Sequence, residues 1–162
     1  MWWRLKTSEF ERMSRDARET AFRAHVAEGP PPGLVAYEGD IAVGWVQVTP
    51  RAALPRFSRS RIAKSSDDDI DQIWAVSCFF VRKGHRRSGM MTELARAACT
   101  YASERGASAV EAAALEPKRP MMWGEGFVGL ASALARAGFT EVERRSETRV
   151  LMRWVADVSQ VE

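Results

Sequence analysis

The residues best suited to chemistry sit in one short run, Val81-Arg82-Lys83-Gly84-His85-Arg86-Arg87-Ser88-Gly89-Met90-Met91. Four Lys/Arg and two glycines there separate a nearly continuous apolar segment from an amphipathic one. The start of a helix leaves backbone N–H groups unpaired and carries a partial positive charge. Glycine lets an anion approach the backbone, and flanking arginines add charge-assisted hydrogen bonds. A cradle for phosphate or pyrophosphate is therefore expected. The competing reading is a solvated basic turn with Ser88 as a plain N-cap. The buried strand expected just before the turn favours the cradle.

Two other phosphate-site patterns fail on inspection. Gly84-His85-Arg86-Arg87-Ser88-Gly89 matches the first six positions of a P-loop, but Met90 and Met91 replace the Lys and Ser/Thr that act on the terminal phosphates and magnesium. Gly124-Glu125-Gly126-Phe127-Val128-Gly129 spells GxGxxG, yet the preceding strand ends near Leu115 and a proline-containing loop intervenes. Glu147, near the spacing of the ribose acid, falls in an expected hairpin turn. A loop closing over a site is the better use of those glycines.

Periodicity gives the elements that must position the cationic turn. Residues 2–6 suit a short strand, and Ser8-Glu9-Phe10-Glu11 fits a capping box. Phe10, Met13, Ala17, Ala21 and Ala24 then predict one helix over 9–27, ended by Gly29-Pro30-Pro31-Pro32-Gly33. Leu34–Tyr37 and Ile41–Thr49 flank Glu38-Gly39-Asp40 as a hairpin closed by Pro50. The polar stretch 51–71 carries Arg51, Arg56, Arg59, Arg61, Lys64 and Asp67-Asp68-Asp69, and reads as a solvated loop or a substrate lid. Residues 73–81 suit a central strand covered on both faces.

Met90, Leu94, Ala97, Ala98 and Tyr101 mark a helix that stops at Gly106, and Ala109–Leu115 reads as the next strand. A right-handed βαβ unit with parallel strands follows. After an irregular loop over 116–126, Phe127, Leu130, Leu134 and Ala137 give a short helix ended by Gly138. Phe139–Glu143 and Thr148–Val155 form a final antiparallel pair. The expected architecture is a single α/β (α+β) domain over 1–162, with a mixed sheet of about six to seven strands and helices on both faces.

Composition narrows the function classes. At 162 residues and 46% hydrophobic, the chain can build a core without metal or disulfide staples. A net charge of +3 suits an anionic ligand but is too small and scattered to predict nucleic acid. Cys78 and Cys99 lie in apolar runs without CxxC or Cys/His spacing, and His25 and His85 are isolated, so free thiols and no metal site are expected. No apolar run approaches the ~18 residues of a membrane span. Met1-Trp2-Trp3-Arg4 lacks the apolar core of a secretion leader, so a cytoplasmic location is expected.

Arg86-Arg87-Ser88-Gly89-Met90-Met91 resembles the pyrophosphate motif Q/R-x-x-G-x-G/A of the GNAT superfamily, the acetyl-CoA-dependent N-acetyltransferases. The strand ending at Val81, the ring residue His85 and the helix residue Leu94 stand where that motif has them. The likeness runs from about Leu34 to Trp154, including Gly44 in the hairpin and the Ala137-Gly138-Phe139 junction. The chain is similar to bacterial members that begin with a Trp-Trp-Arg segment. Met91 departs from the usual Gly or Ala.

The resemblance implies a GNAT-type fold with coenzyme A lying along the central strand. Backbone groups of Phe79, Phe80 and Val81 would hold the pantetheine and acetyl arm. Arg86, Arg87, Ser88, Gly89, Met90, Met91 and Thr92 would surround the pyrophosphate. The implied reaction is direct attack of a neutral amine on the thioester, with positioning and carbonyl polarisation supplying most of the rate. A base then takes the amine proton and an acid serves the leaving thiolate. That acid is often a tyrosine at the position held here by Leu134. Ser132 is the candidate acid, directly or through water, and Glu125 and Glu111 are candidate bases, against plain surface charge for each carboxylate.

The implied partner is a small-molecule or peptide amine, with no nucleic acid or membrane partner and with a homodimer allowed. The Arg-rich 51–64 segment hints at an acceptor with a negative group, against a role in solubility. Trp45, Trp74 and Trp123 are candidates for an acceptor pocket, against a place in the core. Two other classes compete: a non-catalytic acyl-CoA-binding or regulatory domain, and a basic nucleic-acid-binding module. The absent tyrosine and Met91 speak for the former. The latter lacks aromatics interleaved with cations.

Overall fold

The β-branched and aromatic residues of 33–50 and 73–81 build the first half of one sheet in the computed structural model, which describes residues 2–65, 71–122 and 124–156. Asp67-Asp68-Asp69 and Trp123 lie outside the described residues. β1 (Gly33–Glu38) and β2 (Ile41–Pro50) form a hairpin, and β3 (Ile73–Val81) pairs antiparallel with β2. β4 (Ala109–Leu115) runs parallel to β3. β5 (Thr140–Ser146) and β6 (Arg149–Val155) complete the sheet, with β6 inserted beside β4 to give the order β1-β2-β3-β4-β6-β5.

The crossover between β3 and β4 is α4 (Met90–Ser103). Its buried stripe is Leu94, Ala95, Ala98, Cys99 and Ala102, and Ala97 faces out instead of in. That stripe packs on Val46, Val48, Trp74, Val76, Val110 and Ala112. On the opposite face Leu54, Phe57 and Ala63 cover Ala75 and Ala113. They come from the stretch after β2, which folds into a 3₁₀ turn (Arg51–Ala53) and α3 (Pro55–Arg59). Pro55 starts α3 where its missing N–H costs nothing.

The N-terminal segment departs from expectation. Residues 2–4 turn rather than extend, and the single helix is two: α1 (Thr7–Arg12) and α2 (Arg15–Glu28). Met13 is extended (φ −81°, ψ 132°) and ends α1. Ser14, not Ser8, supplies the cap, its hydroxyl accepting from the Ala17 N–H at 3.1 Å. The half-buried face of α2 is Arg18, Ala21, Phe22 and His25, and Ala17 and Ala24 are exposed. Past β4, the expected helix over 127–137 divides at Gly129 into a 3₁₀ turn (Glu125–Val128) and α5 (Ala131–Arg136).

One local irregularity opens the sheet. Pairing of β3 with β4 runs from Ile73↔Ala109 to Val76↔Ala112 and stops. On the other side, Val48 opposes Val76 while Gln47 opposes Cys78, so Ser77 is an extra residue in β3. Such a bulge bends its strand. Gly129 and Leu130 occupy the wedge beyond it: the Leu115 N–H donates to the Gly129 carbonyl at 2.9 Å, and Leu115 bridges Leu130. Gly129 has φ +95°, and a Cβ there would stand 2.8 Å from Phe79 Cε2, so only glycine fits.

Candidate active site

Two cavities flank the wedge. The larger, of about 740 Å³, has His85, Arg86, Arg87 and Arg136 at its cationic end and Phe79, Val81, Phe127 and Leu130 along its apolar part. The smaller, of about 400 Å³, has Trp3, Phe22, Trp45, Gln47, Ser77 and Cys78 on its wall. Gly124 and Phe127 border both. Consecutive residues of β3 thus serve different cavities: Ser77 and Cys78 the smaller, Phe79 and Val81 the larger.

The cationic turn has the geometry of an anion cradle. Arg87 (φ +65°) and Gly89 (φ +87°) are left-handed with Ser88 between them, an alternation that turns successive N–H groups to one side. Gly89 is the N-cap of α4, and its carbonyl accepts from Thr92 (2.8 Å) and Glu93 (3.2 Å). The N–H groups of Met90 and Met91 have no preceding helical turn to bond. A Cβ built on Gly89 meets nothing within 4 Å, so the space above the turn is open. The Arg86 Nε–H donates to the Val81 carbonyl at 3.0 Å and ties the turn to the strand end. Ser88 does not cap the helix; its hydroxyl donates to the His85 carbonyl at 2.6 Å.

Most of the residues expected around the cofactor line the larger cavity: Phe79, Val81, Arg86, Arg87, Gly89 and the start of α4 from Met90 to Thr92. Phe80 and Ser88 are not on its wall; Phe80 lies on the other face of β3, 47% exposed. The Met91 sulfur accepts the Leu130 N–H at 3.3 Å, which holds that side chain against the wedge. Thr92 is buried and donates its hydroxyl hydrogen to the Ala133 carbonyl at 3.1 Å. A diphosphate with an extended, partly apolar arm fits this combination of open N–H groups, guanidinium groups and apolar wall.

The three side chains expected to move protons are elsewhere. Glu111 is 0% exposed, with Arg51 Nη1 at 2.6 Å, Arg153 Nη2 at 2.6 Å and Ser65 Oγ at 3.0 Å. Arg153 opposes it directly across the β4–β6 pair. Burial lowers the Arg51 pKa from the ordinary guanidinium value, while Glu111 pulls it back up. Glu125 accepts from Arg119 Nη2 at 2.8 Å and from the Met122 N–H at 2.7 Å, and these bonds hold its carboxyl below the usual range. Ser132 is exposed on α5. None of the three lines either cavity. Leu134, at the position of the usual tyrosine, is fully buried in the core.

The acceptor hints divide in the same way. Arg51 is consumed by the buried ion pair, and Arg56 stacks over the Trp2 ring at 3.2 Å. Trp45 lines the smaller cavity, but Trp74 packs edge-on against Tyr101 in the core. Sequence reasoning missed Gln47, Ser77, Trp3 and Arg136. Periodicity places Gln47 and Ser77 only as strand residues, and nothing local marks the bulge that brings them together. Among the described residues no group of three His, Cys, Asp or Glu side chains gathers as for a metal.

Comparison with known proteins bears on the fold and the family. No curated protein matches the chain. In fold it is similar to a ribosomal-protein-alanine N-acetyltransferase from Brucella melitensis (TM-score 0.54, 17% identity, covering 89% of this chain and 80% of that one). It is also similar to yncA, a putative acetyltransferase from Salmonella typhimurium solved with acetyl-CoA (TM-score 0.56, 16% identity, 90% and 75% covered). A third is Ard1 from Thermoplasma volcanium (TM-score 0.52, 16% identity, 92% and 84% covered). Residues 1–122 match the model of the acetyltransferase (GNAT) family. The chain therefore belongs to the GNAT family of acetyl-CoA-dependent N-acetyltransferases.

Proposed function

We propose that the protein transfers an acetyl group from acetyl-CoA to a primary amine of a small molecule or peptide by direct attack, with the donor in the larger cavity and the acceptor in the smaller. The shared wall carries this reading: β3 passes from one cavity to the other within 77–79, and Phe127 borders both. Bound acetyl-CoA supplies an acyl group activated as a thioester. Main-chain N–H groups at Gly89–Met91, with Arg86 and Arg87, hold the diphosphate. The edge of β3 at 79–81, beyond its pairing with β4 and beside the larger cavity, offers backbone donors and acceptors to the arm. Phe79, Phe127 and Leu130 exclude water around it.

No carboxylate or imidazole lines the smaller cavity among the described residues. The amine accordingly enters as the free base; its nitrogen forms the bond to the acyl carbon as the C–S bond breaks, its proton leaves to water, and the departing thiolate takes a proton from water. Positioning supplies the rate, since two bound reactants meet at one point on β3.

The test is free-thiol release from acetyl-CoA with an amine panel, beside thermal shifts with acetyl-CoA, ATP and NAD. Stabilisation by acetyl-CoA together with amine-dependent thiol release is expected. Stabilisation without release from any amine contradicts transfer and favours the acyl-CoA-binding reading, toward which the buried Leu134 points. Stabilisation by NAD alone contradicts both.

A further inference from the structure

We infer that the smaller cavity selects an aromatic or otherwise apolar primary amine that carries no second charge and offers a hydrogen-bond acceptor, with Gln47 and Ser77 as the residues that recognise it. The inference rests on the transfer reading above and deepens it by naming the acceptor class.

The wall decides the apolar part. Trp3, Phe22 and Trp45 supply most of it, and no charged side chain lines it among the described residues. An acidic acceptor would leave its charge unpaired against ring faces that repel anions, and a polycationic one would bring more positive charge than a wall without carboxylates can pair. The rings are also fixed in advance. The Trp3 indole N–H donates to the Ser77 carbonyl at 2.9 Å, and Phe22 packs edge-on against Trp45 with centroids 6.1 Å apart. A cavity of about 400 Å³ with rigid aromatic walls takes one compact ring system.

Two orphaned polar atoms decide the rest. Gln47 and Ser77 are each 3% exposed, yet among the described residues Gln47 Nε2 and Ser77 Oγ have no hydrogen-bond partner. Buried polar groups are almost always paired. On the wall of a cavity, such a pair marks where a ligand completes the bonding. The Gln47 amide N–H donates, and the Ser77 hydroxyl donates or accepts. A carbonyl or ether oxygen on the acceptor satisfies them. The bulge at Ser77 brings this recognition within two residues of Phe79, where the larger cavity begins.

The test uses L-phenylalaninamide, 2-phenylethylamine, spermidine and L-glutamate with the full chain. Tryptophan fluorescence in the presence of CoA reads binding, since Trp2, Trp3 and Trp45 line the cavity, and thiol release reads kcat/KM. Both aromatic amines should exceed spermidine and glutamate by at least tenfold. Gln47→Leu should weaken L-phenylalaninamide about tenfold and erase its advantage over 2-phenylethylamine, which has no oxygen for Gln47 to reach, while the thermal shift with acetyl-CoA, bound in the other cavity, checks folding; Ser77→Ala should act in the same direction. A preference for spermidine or glutamate overturns the inference, as does unchanged L-phenylalaninamide binding in both variants. So does thiol release with neither aromatic amine. Wild-type protein that fails to bind acetyl-CoA overturns the transfer reading itself, which separates the two failures.

Discussion

Trp3 and Ser77, 74 positions apart, meet through the indole N–H and a main-chain carbonyl at 2.9 Å. That carbonyl belongs to the residue that bulges β3, so the start of the chain is pinned to the feature that opens the sheet. The same ring packs on Phe57 with centroids 5.3 Å apart. The N-terminal segment is in this way part of the smaller cavity rather than an appendage.

Replacing Trp3 by Phe keeps an aromatic ring and deletes the donor. The loss should be about 1 kcal/mol of stability, the worth of one hydrogen bond. The acceptor KM should rise several-fold, and the dissociation constant of acetyl-CoA should stay within twofold. Thermal melts and steady-state kinetics check both. An equal loss for donor and acceptor would show that Trp3 does not belong to one cavity.

Glu111 tests whether a buried carboxylate serves structure or proton transfer. Glu111→Ala leaves Arg51 and Arg153 facing each other without their shared anion, and should cost about 3–5 kcal/mol. The milder Glu111→Gln should lower the melting temperature while kcat at a permissive temperature stays within about threefold. A general base removed without loss of fold would instead cost roughly a hundredfold or more. Melting curves paired with kcat at low temperature separate the outcomes.

The pH profile gives a third test. Arg119 and the Met122 N–H hold Glu125 below its ordinary value of 4.5, so it is ionised throughout the neutral range. Because its pKa is depressed by folding, any stability it adds to the 119–125 loop is present above the unfolded value and lost as pH falls through the folded one. Near neutrality it changes nothing. With the amine entering as the free base, kcat/KM should rise tenfold per pH unit toward the acceptor's own pKa, and Glu125→Gln should leave that slope intact. A plateau near pH 6–7 that disappears in the variant would restore Glu125 as the base.

Cysteine chemistry probes the cavity wall directly. Burial raises the pKa of Cys78 above its ordinary value of 9.0, and pushes Cys99 up to about 12. Alkylation by iodoacetamide should be slow at pH 8 and still climbing at pH 9.5, because the thiolate is the nucleophile. Cys78, which lines the smaller cavity, should react before the fully buried Cys99. A bound aromatic amine should slow it. Mass-spectrometric mapping of the adduct checks the order.

Much of this architecture was legible in the residues. The apolar run at 73–81, the glycine-flanked cationic turn and the stripe around Leu94 and Ala98 specify a strand, a turn and a helix by local pattern alone. Those three elements line the larger cavity. The smaller cavity was not legible, because it depends on a register shift at Ser77 and on contacts such as Trp3 with Ser77 that span most of the chain. The surroundings of Glu111 were not legible for a similar reason. A lone carboxylate in an apolar strand suggests chemistry until Arg51 and Arg153 are seen to close around it. The helix break at Met13 was masked by apolar spacing that continues across it.

If the turn before α4 grips the diphosphate of acetyl-CoA, Gly89→Val should break that grip. Valine at φ +87° is strained by about 1–2 kcal/mol and places a branched side chain in the open space above the turn. Calorimetric titration of wild type and variant with acetyl-CoA, with far-UV circular dichroism as the check on folding, gives the answer. Saturable wild-type binding that weakens at least tenfold in a folded variant is the predicted result. Equal affinity in the two folded proteins would mean that the turn does not hold the diphosphate.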